Sequence, residues 1–141
     1  MKTRIEWVDN AMFIGETESK HSVVMDGPAD SGGRNRGPRP MEMMLTGLGG
    51  CTSFDVVNIL KKSRQQVSGC IAEISAERSD QIPAVFTDIH IHFVVKGKNL
   101  KESQVKKALS LSADKYCSAS IMLARGGVNI THDYEILEDV D

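Results

Sequence analysis

One segment limits what this chain can fold into more than any other: PMEMMLTGLGGCTSFDVVNIL, residues 40–60. It carries no charge between Met43 and Phe54. A proline fits the first turn of a helix, because the amide hydrogen that it lacks would have no partner there. At about 100° per residue, apolar side chains in this segment point in nearly every direction. We therefore predict a central, buried helix that begins at Pro40 and ends near Arg64, where the sequence turns polar.

Three glycines, Gly47, Gly49 and Gly50, stand beside Cys51 in this helix. Each glycine costs about 0.8–1 kcal/mol relative to alanine inside a helix, so three together need a reason. The simplest reason is the close approach of another backbone. The other long helix predicted in the chain is amphipathic, so the partner that we expect is the same helix of a second subunit. This packing would place Cys51 near an interface.

The remaining segments predict strands on both sides of this helix. Three short β-prone runs, TRIEWV, AMFIGET and HSVVMD, predict a β-meander in the first 26 residues. A loop rich in glycine, proline and arginine follows at residues 27–40. Alternating apolar and polar residues predict further strands at 70–77, 85–96 and 127–137, each buried on one side.

Two helices are predicted between the last two strands. The longer one spans residues 100–117 and is amphipathic, and Asn99 and Glu102 are spaced as a capping box at its start. The shorter one starts after Cys117 and ends at two glycines. The stripe of the longer helix that should face inward consists of Val105, Ala108, Leu109, Ser112 and Tyr116.

The order βββ–α–ββ–α–α–β predicts an α+β fold with mostly antiparallel pairing, and 141 residues suit a single domain, residues 1–141. A net charge of −2 with mixed signs and only 5% aromatic residues predict no nucleic-acid or membrane partner. The longest uncharged run, 12 residues, is too short to span a bilayer. The N-terminal segment has no apolar signal core, so we expect a cytoplasmic protein.

Three cysteines, Cys51, Cys70 and Cys117, raise the question of thiol chemistry. In a reducing compartment they do not predict a structural disulfide framework. Cys51 has two interpretations, a small buried hydrophobe or a reactive thiol near an interface. Cys117 either packs at the end of one helix or gains a lowered pKa at the start of the next. Cys70 alternates with small apolar residues and is predicted to lie in the core.

The segment GPRPMEMMLTGLGGC, followed 66 residues later by YCSASIML, resembles the osmotically inducible protein C and organic hydroperoxide resistance (OsmC/Ohr) family. The first motif is a proline 11 residues before a helical cysteine, and in the second a cysteine precedes Ser120 by three residues. The resemblance covers nearly the whole chain. It implies an intertwined homodimer, in which antiparallel sheets wrap two long central helices and the active sites lie at the interface.

The resemblance further implies thiol-dependent reduction of organic hydroperoxides in stress defence. By analogy, Cys51 attacks the O–O bond and becomes a sulfenic acid, which Cys117 resolves as a disulfide. Reductants in the family include dithiols such as dihydrolipoamide, and neither a cofactor nor a metal is implied. A largely apolar pocket at the interface would favour lipophilic peroxides.

The best-characterised members carry a glutamate directly after the proline and an arginine upstream of it, which hold the thiolate and the peroxide. Here Met41 follows the proline, and the candidate glutamate is Glu42, about 180° around an unbroken helix from Cys51. Arg36, in the glycine-rich loop, is the candidate arginine. Asp55, one turn after Cys51, is expected to raise a thiol pKa.

Met41 and Asp55 also favour a rival interpretation, a non-enzymatic dimer that binds a small apolar or thiol-containing molecule. A purely structural dimer with inert thiols is a third. His90 and His92 share one face of a predicted strand, as two metal ligands could, but a third ligand is missing nearby in sequence. We therefore predict a solvated strand face there, and a core or pocket position for His132.

Overall fold

The computed structural model of the chain describes residues 1–140, and it contains six strands and three α-helices within them. A 3-10 turn lies at Ala29–Ser31 and a π-helical turn at Ser112–Tyr116. The predicted α+β class is confirmed. The strands are β1 Thr3–Asp9, β2 Met12–Thr17, β3 Ser22–Met25, β4 Gln66–Arg78, β5 Phe86–Lys98 and β6 Asn129–Glu138. The helices are α1 Pro40–Lys62, α2 Glu102–Leu111 and α3 Ser118–Arg125.

The chain forms two compact units, Met1–Thr46 and Gly47–Asp141, and the boundary between them falls within α1. In the first unit, β1, β2 and β3 pair antiparallel in chain order, so the predicted β-meander is confirmed. The prediction of one domain over residues 1–141 stays a prediction.

Asp26 organises the loop that follows β3. Its side chain is 2% exposed, and its carboxylate accepts hydrogen bonds from the backbone N–H groups of Gly27, Arg34 and Arg36 at 2.9, 3.0 and 3.1 Å. These donors, those of Arg36 and Arg34 above all, hold the pKa of Asp26 below its ordinary value. The Arg34 guanidinium also pairs with Asp9 at 2.6 Å. The glycine-rich segment is therefore a fixed turn built around a buried carboxylate.

The second unit is built on the three-stranded sheet β4-β5-β6. Strands β4 and β5 pair antiparallel, whereas β5 and β6 are parallel. The parallel pair follows from the chain path, because α2, the π-helical turn and α3 form a crossover connection between the two strands. Among residues 1–140, three of the four strand pairs are antiparallel, as predicted for most of the pairing.

One face of β5 forms the centre of the core of this unit. Ile89, Ile91, Phe93 and Val95 are at most 3% exposed and alternate with polar residues, as the sequence pattern predicts. Burying each such side chain stabilises the fold by about 1.5–3 kcal/mol. Helices α1 and α2 complete the core with Leu48, Val56, Leu60, Val105, Ala108 and Leu109.

Helix α1 buries a single stripe in the second unit. Residues four apart, Leu48, Thr52, Val56 and Leu60, are at most 3% exposed, whereas Phe54 is 70% exposed. Within one chain α1 is therefore covered along one stripe only, and its predicted burial on the other side, against a second subunit, stays a prediction. By length and composition alone α1 could cross a membrane, but core helices of soluble proteins pass the same test.

The three glycines of α1 have different surroundings. A Cβ atom at Gly49 would lie 2.9 Å from Cδ1 of Ile74, so the close approach there is to strand β4 of the same chain. A Cβ atom at Gly47 or Gly50 would meet nothing within 4 Å. The prediction of a second backbone at the glycines is therefore wrong for Gly49, and the other two leave open space beside the helix.

The region predicted as one long helix at residues 100–117 is divided in the structure. Helix α2 ends at Leu111, and the chain continues in the π-helical turn Ser112–Tyr116. The predicted capping box is wrong, because Lys101 occupies the N-cap and Asn99 adopts a left-handed backbone conformation with φ of 50°. Tyr116 is 51% exposed, since the π-helical turn rotates it away from the predicted buried stripe.

Candidate functional site

Two cysteines and one carboxylate meet in the second unit. The Sγ atoms of Cys51 and Cys117 and a carboxylate oxygen of Asp55 all lie within 4.8 Å of one another. Cys51 and Asp55 are one turn apart on α1, so their side chains project from the same side of the helix. The structure thus brings together the two cysteines that the sequence singled out, with Asp55 beside them, as its position one turn after Cys51 predicts.

Cys117 is placed by the junction of the π-helical turn and α3. Its backbone N–H donates to the carbonyl of Ser112 at 2.8 Å, which closes the turn, and Cys117 is itself the N-cap of α3. Its Sγ accepts a hydrogen bond from the backbone N–H of Ser120 at 3.4 Å. The side chain is 0% exposed. The cap residue of α3 is therefore the cysteine itself.

A buried pair of hydroxyl groups joins α1 to this turn. Oγ1 of Thr52 and Oγ of Ser112 lie 2.9 Å apart, and Ser112 Oγ is 3.4 Å from the carbonyl oxygen of Thr52. Thr52 follows Cys51 directly, and Ser112 accepts the N–H of Cys117. Sequence reasoning missed this pair, although Ser112 stood out as a hydroxyl on a stripe predicted to be apolar.

Burial controls the ionisation of Cys117. The pKa of this thiol is raised to about 11, and burial is the largest cause. The hydrogen bond from the backbone N–H of Ser120 lowers the pKa. Hydrogen bonding with Cys51 and the negative charges of Cys51 and Asp55 raise the pKa further. Of the two interpretations of Cys117, the one with a lowered pKa is therefore wrong, because desolvation outweighs the helix terminus.

Asp55 has an unusual environment for a carboxylate. Its Oδ2 atom is buried and has no hydrogen-bond partner among the described residues. Buried carboxylates are ordinarily paired, because leaving such a group without a partner costs the full desolvation penalty of that group. The carboxylate beside the two sulfurs is thus left with unused capacity to accept a hydrogen bond or bind a cation.

Glu42 and Arg36, the other two predicted site residues, belong to the first unit. Oε2 of Glu42 accepts a hydrogen bond from the backbone N–H of Arg39 at 2.8 Å, in the first turn of α1. The Arg36 N–H donates to Asp26, and the Arg36 side chain is exposed. Their roles beside the thiols stay predictions.

Cys70 lies at the wall of a groove, half-exposed, and not in the core as predicted. Burial raises the pKa of its thiol, and hydrogen bonding with Ser53 lowers it. The groove has a volume of about 520 Å³ and runs between α1 and the start of β4. Its lining includes the exposed ring of Phe54, together with Gly50 and Val57.

Three of the four histidines, His90, His92 and His132, occupy two surfaces of the second unit. His90 and His92 lie on the open face of β5, where both contact Asp133 of β6, at 3.0 and 2.7 Å, and the predicted solvated face is confirmed. His132 is exposed and lines a 160 Å³ pocket that also contains Thr52 and Ser120. The pocket position of His132 is confirmed, and the core position is wrong.

The fold and the thiol pair define a known class of protein. Residues 32–133 match the family described as OsmC-like protein, and the chain therefore belongs to the OsmC-like family. This confirms the resemblance drawn from the two cysteine motifs.

Individual relatives agree with this assignment. The chain is 46% identical to protein YhfA of Escherichia coli K12 over 137 residues, which cover 97% of this chain and 98% of that protein. A crystal structure of a hypothetical protein from Aquifex aeolicus is 26% identical, with a TM-score of 0.86 over 99% of this chain and 97% of that one. The organic hydroperoxide resistance protein OhrB of Bacillus subtilis is 16% identical and shares the fold. Its TM-score is 0.63 over 95% of this chain and 96% of that one.

Proposed function

We propose that the protein is a cytoplasmic, cysteine-based peroxidase that reduces organic hydroperoxides. The observation that carries the proposal is the proximity of the two sulfurs, since Sγ of Cys51 and Sγ of Cys117 lie within 4.8 Å. Two thiols at this separation need only a small movement to form an S–S bond of about 2.05 Å. Membership of a family that includes organic hydroperoxide resistance proteins supports the same chemistry.

The reaction begins with the thiolate of Cys51. It attacks the terminal oxygen of the hydroperoxide, the O–O bond breaks, and the alkoxide leaves as an alcohol after it takes a proton. Cys51 is then a sulfenic acid. The sulfur of Cys117 attacks the sulfenic sulfur and displaces hydroxide, which leaves as water, so that a disulfide forms. The two thiols have lost two electrons, the hydroperoxide has gained them, and a dithiol such as dihydrolipoamide restores the pair.

Burial distinguishes the roles of the two cysteines. Cys51 is partly exposed, whereas Cys117 is 0% exposed, so a peroxide that arrives from solvent meets Cys51 first. Cys117 is held in place by Ser112 and Ser120, close enough to resolve the sulfenic acid before a second peroxide oxidises it. Rapid resolution matters because the sulfinic acid formed by further oxidation is irreversible for most proteins.

The proposal includes a homodimer, assembled through the open side of α1. Gly47 and Gly50 leave space beside the helix, and Phe54, which follows them on the same side, exposes 70% of its surface. Small residues beside an exposed aromatic ring suit close packing against a second helix. In such an assembly, Glu42 and Arg36 are proposed to support the thiolate and the bound peroxide.

Stopped-flow oxidation of the reduced protein tests the proposal. Cumene hydroperoxide and hydrogen peroxide are compared at equal concentration, and reaction is followed through loss of free thiol. We expect faster oxidation by cumene hydroperoxide, abolition by Cys51→Ser, and an unchanged rate in the matched control Cys70→Ser. Equal, slow rates for all three proteins would contradict the peroxidase proposal.

The groove beside Phe54 favours a second candidate function, the binding of a small apolar or thiol-containing molecule. Its volume of about 520 Å³ falls in the range of small-molecule sites, and the Cys70 thiol lies in its wall. Saturable binding of an apolar fluorophore to a protein that does not consume cumene hydroperoxide would favour this candidate. Phe54→Ala should weaken that binding.

A further inference from the structure

We propose that Cys51, Asp55 and Cys117 form a zinc-binding site when both thiols are reduced. Their three donor atoms are two sulfurs and one carboxylate oxygen, all within 4.8 Å of one another. Thiolate and carboxylate are both established zinc ligands. The proposal is independent of the peroxidase chemistry, because zinc binding requires reduced thiols and no turnover.

The separations are close to those of a zinc site. With Zn–S bonds of about 2.3 Å and Zn–O bonds of about 2.1 Å, tetrahedral ligation places the donor atoms about 3.6–3.8 Å apart. Donors within 4.8 Å therefore need to move inward by about 1 Å at most. Cys51 and Asp55 come from one turn of α1, and Cys117 from the start of α3, so two rigid elements present the three ligands.

The carboxylate gives an independent reason to place a cation here. Oδ2 of Asp55 is buried and unpaired among residues 1–140, next to two sulfurs that can each carry a negative charge. A buried polar atom without a partner is costly, and a bound cation would supply the missing interaction. The exposed face of β5 offers a weaker alternative, because His90 and His92 share their carboxylate with each other and with solvent.

Binding follows a simple balance of charge. Each thiol gives up its proton when it binds, so one Zn²⁺ releases two protons and a two-thiolate, one-carboxylate site carries a net charge of −1. Three protein ligands leave the fourth tetrahedral position for water or an external thiol. A Cys51–Cys117 disulfide removes both sulfur ligands, so oxidation of the site releases the metal.

The test uses the reduced, full-length protein with Zn²⁺ and with Co²⁺ as a spectroscopic probe. Zinc affinity is measured by competition with a chromophoric chelator, and sulfur-to-cobalt charge-transfer absorption reports thiolate ligands. We expect one ion per chain, with the absorption lost in Cys51→Ser and in Cys117→Ser. Loss of a group that only supports a metal ligand weakens metal binding by about 10–100-fold. Asp55 is itself a proposed ligand, so Asp55→Asn should weaken zinc binding at least tenfold. The matched control Cys70→Ser should bind as the wild type does.

Other results would overturn the proposal. They are binding that survives Cys51→Ser, binding that depends on His92, and cobalt spectra without charge-transfer bands. Circular dichroism of each variant shows whether binding is lost because a ligand is missing or because the protein is unfolded. Asp55→Asn preserves the shape of the side chain, so it still tests the site if a serine variant unfolds. A protein that reduces cumene hydroperoxide but binds no zinc would reject this proposal alone. A protein that binds zinc but consumes no peroxide would reject only the peroxidase.

Discussion

The hydroxyl oxygens of Thr52 and Ser112 lie 2.9 Å apart in the buried space between α1 and the π-helical turn. Each residue stands beside one member of the thiol pair, because Thr52 follows Cys51 and the Ser112 carbonyl accepts the N–H of Cys117. This contact therefore links the turn of α1 that carries Cys51 to the segment that carries Cys117, although neither hydroxyl takes part in the proposed chemistry.

Removal of the Ser112 hydroxyl should weaken both the fold and the thiol pair. Ser112→Ala leaves the buried Thr52 hydroxyl without this partner, which costs about 1–3 kcal/mol of unfolding free energy. Urea unfolding measures the loss, and the rate of disulfide formation after peroxide addition measures the effect on sulfur geometry. In a double-mutant cycle with Thr52→Val, the two changes should be less than additive. Strict additivity would show that the hydroxyls do not interact.

Stoichiometric oxidation should distinguish the three cysteines. One equivalent of cumene hydroperoxide should consume the thiols of Cys51 and Cys117 and leave Cys70 free, because the first two sulfurs lie within 4.8 Å of each other, whereas Cys70 lines the groove. Peptide mapping identifies the product, which a dithiol should reverse. Cys117→Ser should stop at a sulfenic acid and over-oxidise in excess peroxide. A disulfide that contains Cys70 would contradict the assignment.

Asp55 should shift the pH dependence of Cys117. Its charge is one of the causes that raise the pKa of Cys117 to about 11, so Asp55→Asn should lower that pKa. The thiolate absorbs in the ultraviolet and needs no reagent to reach the buried sulfur, so its absorbance should rise at a lower pH in the variant. Titrations are compared between Cys51→Ser/Cys70→Ser and the same protein with Asp55→Asn, so that Cys117 is the one thiol followed. Superimposable profiles would mean that Asp55 does not act on this thiol.

The contact between His92 and Asp133 should make stability depend on pH. The hydrogen bond to Asp133 raises the pKa of His92 above 6.5, and the same contact lowers the pKa of Asp133 below 3.8. The contribution of His92 to the free energy of unfolding is complete below pH 6.5 and is lost as the pH rises through the raised pKa. That of Asp133 is full above pH 3.8 and fades as pH falls through the lowered pKa.

The pair should therefore contribute most between pH 3.8 and pH 6.5. Urea unfolding of wild type and His92→Gln across this range measures the difference. It should be larger at pH 5.5 than at pH 8.5, and a difference that does not change with pH would contradict the prediction.

The open glycine of α1 should affect assembly and leave the fold of one chain intact. A Cβ atom at Gly50 meets nothing within 4 Å, so Gly50→Leu should preserve the chain's own packing but block a second helix. Light scattering should then show a species near 15.5 kDa in place of one near twice that mass. Gly49→Ala serves as the control, because its neighbour is the chain's own Ile74. A dimeric Gly50→Leu variant would place the interface elsewhere.

Local patterns in the sequence predicted most of the fold. Alternation along β5 identified its buried face, and Pro40 marked the start of α1, because both signals depend on neighbouring residues alone. The π-helical turn and the cap at Cys117 were not predictable in this way. They depend on the buried contact of Ser112 with Thr52, 60 residues away in sequence. Family motifs, and not periodicity, paired Cys51 with Cys117.

Gly49 shows the limit of composition arguments. Three glycines in a helix indicate a close approach, but the sequence does not say which backbone or side chain approaches. The structure assigns Gly49 to Ile74 of the same chain and leaves Gly50 beside open space. Likewise, a helix start was expected to lower the pKa of Cys117, and only its complete burial reverses the direction.

The parallel pairing of β5 with β6 has a consequence for how the site arises. Cys117 lies in the connection between these strands, and Cys51 lies on a helix that precedes both. The two sulfurs come from segments that are far apart in sequence, and contacts of this kind carry a large loop-closure cost. We therefore expect the reactive pair to form late in folding, after contacts between neighbours in sequence. Trapping of the Cys51–Cys117 disulfide during refolding would time the docking of the crossover.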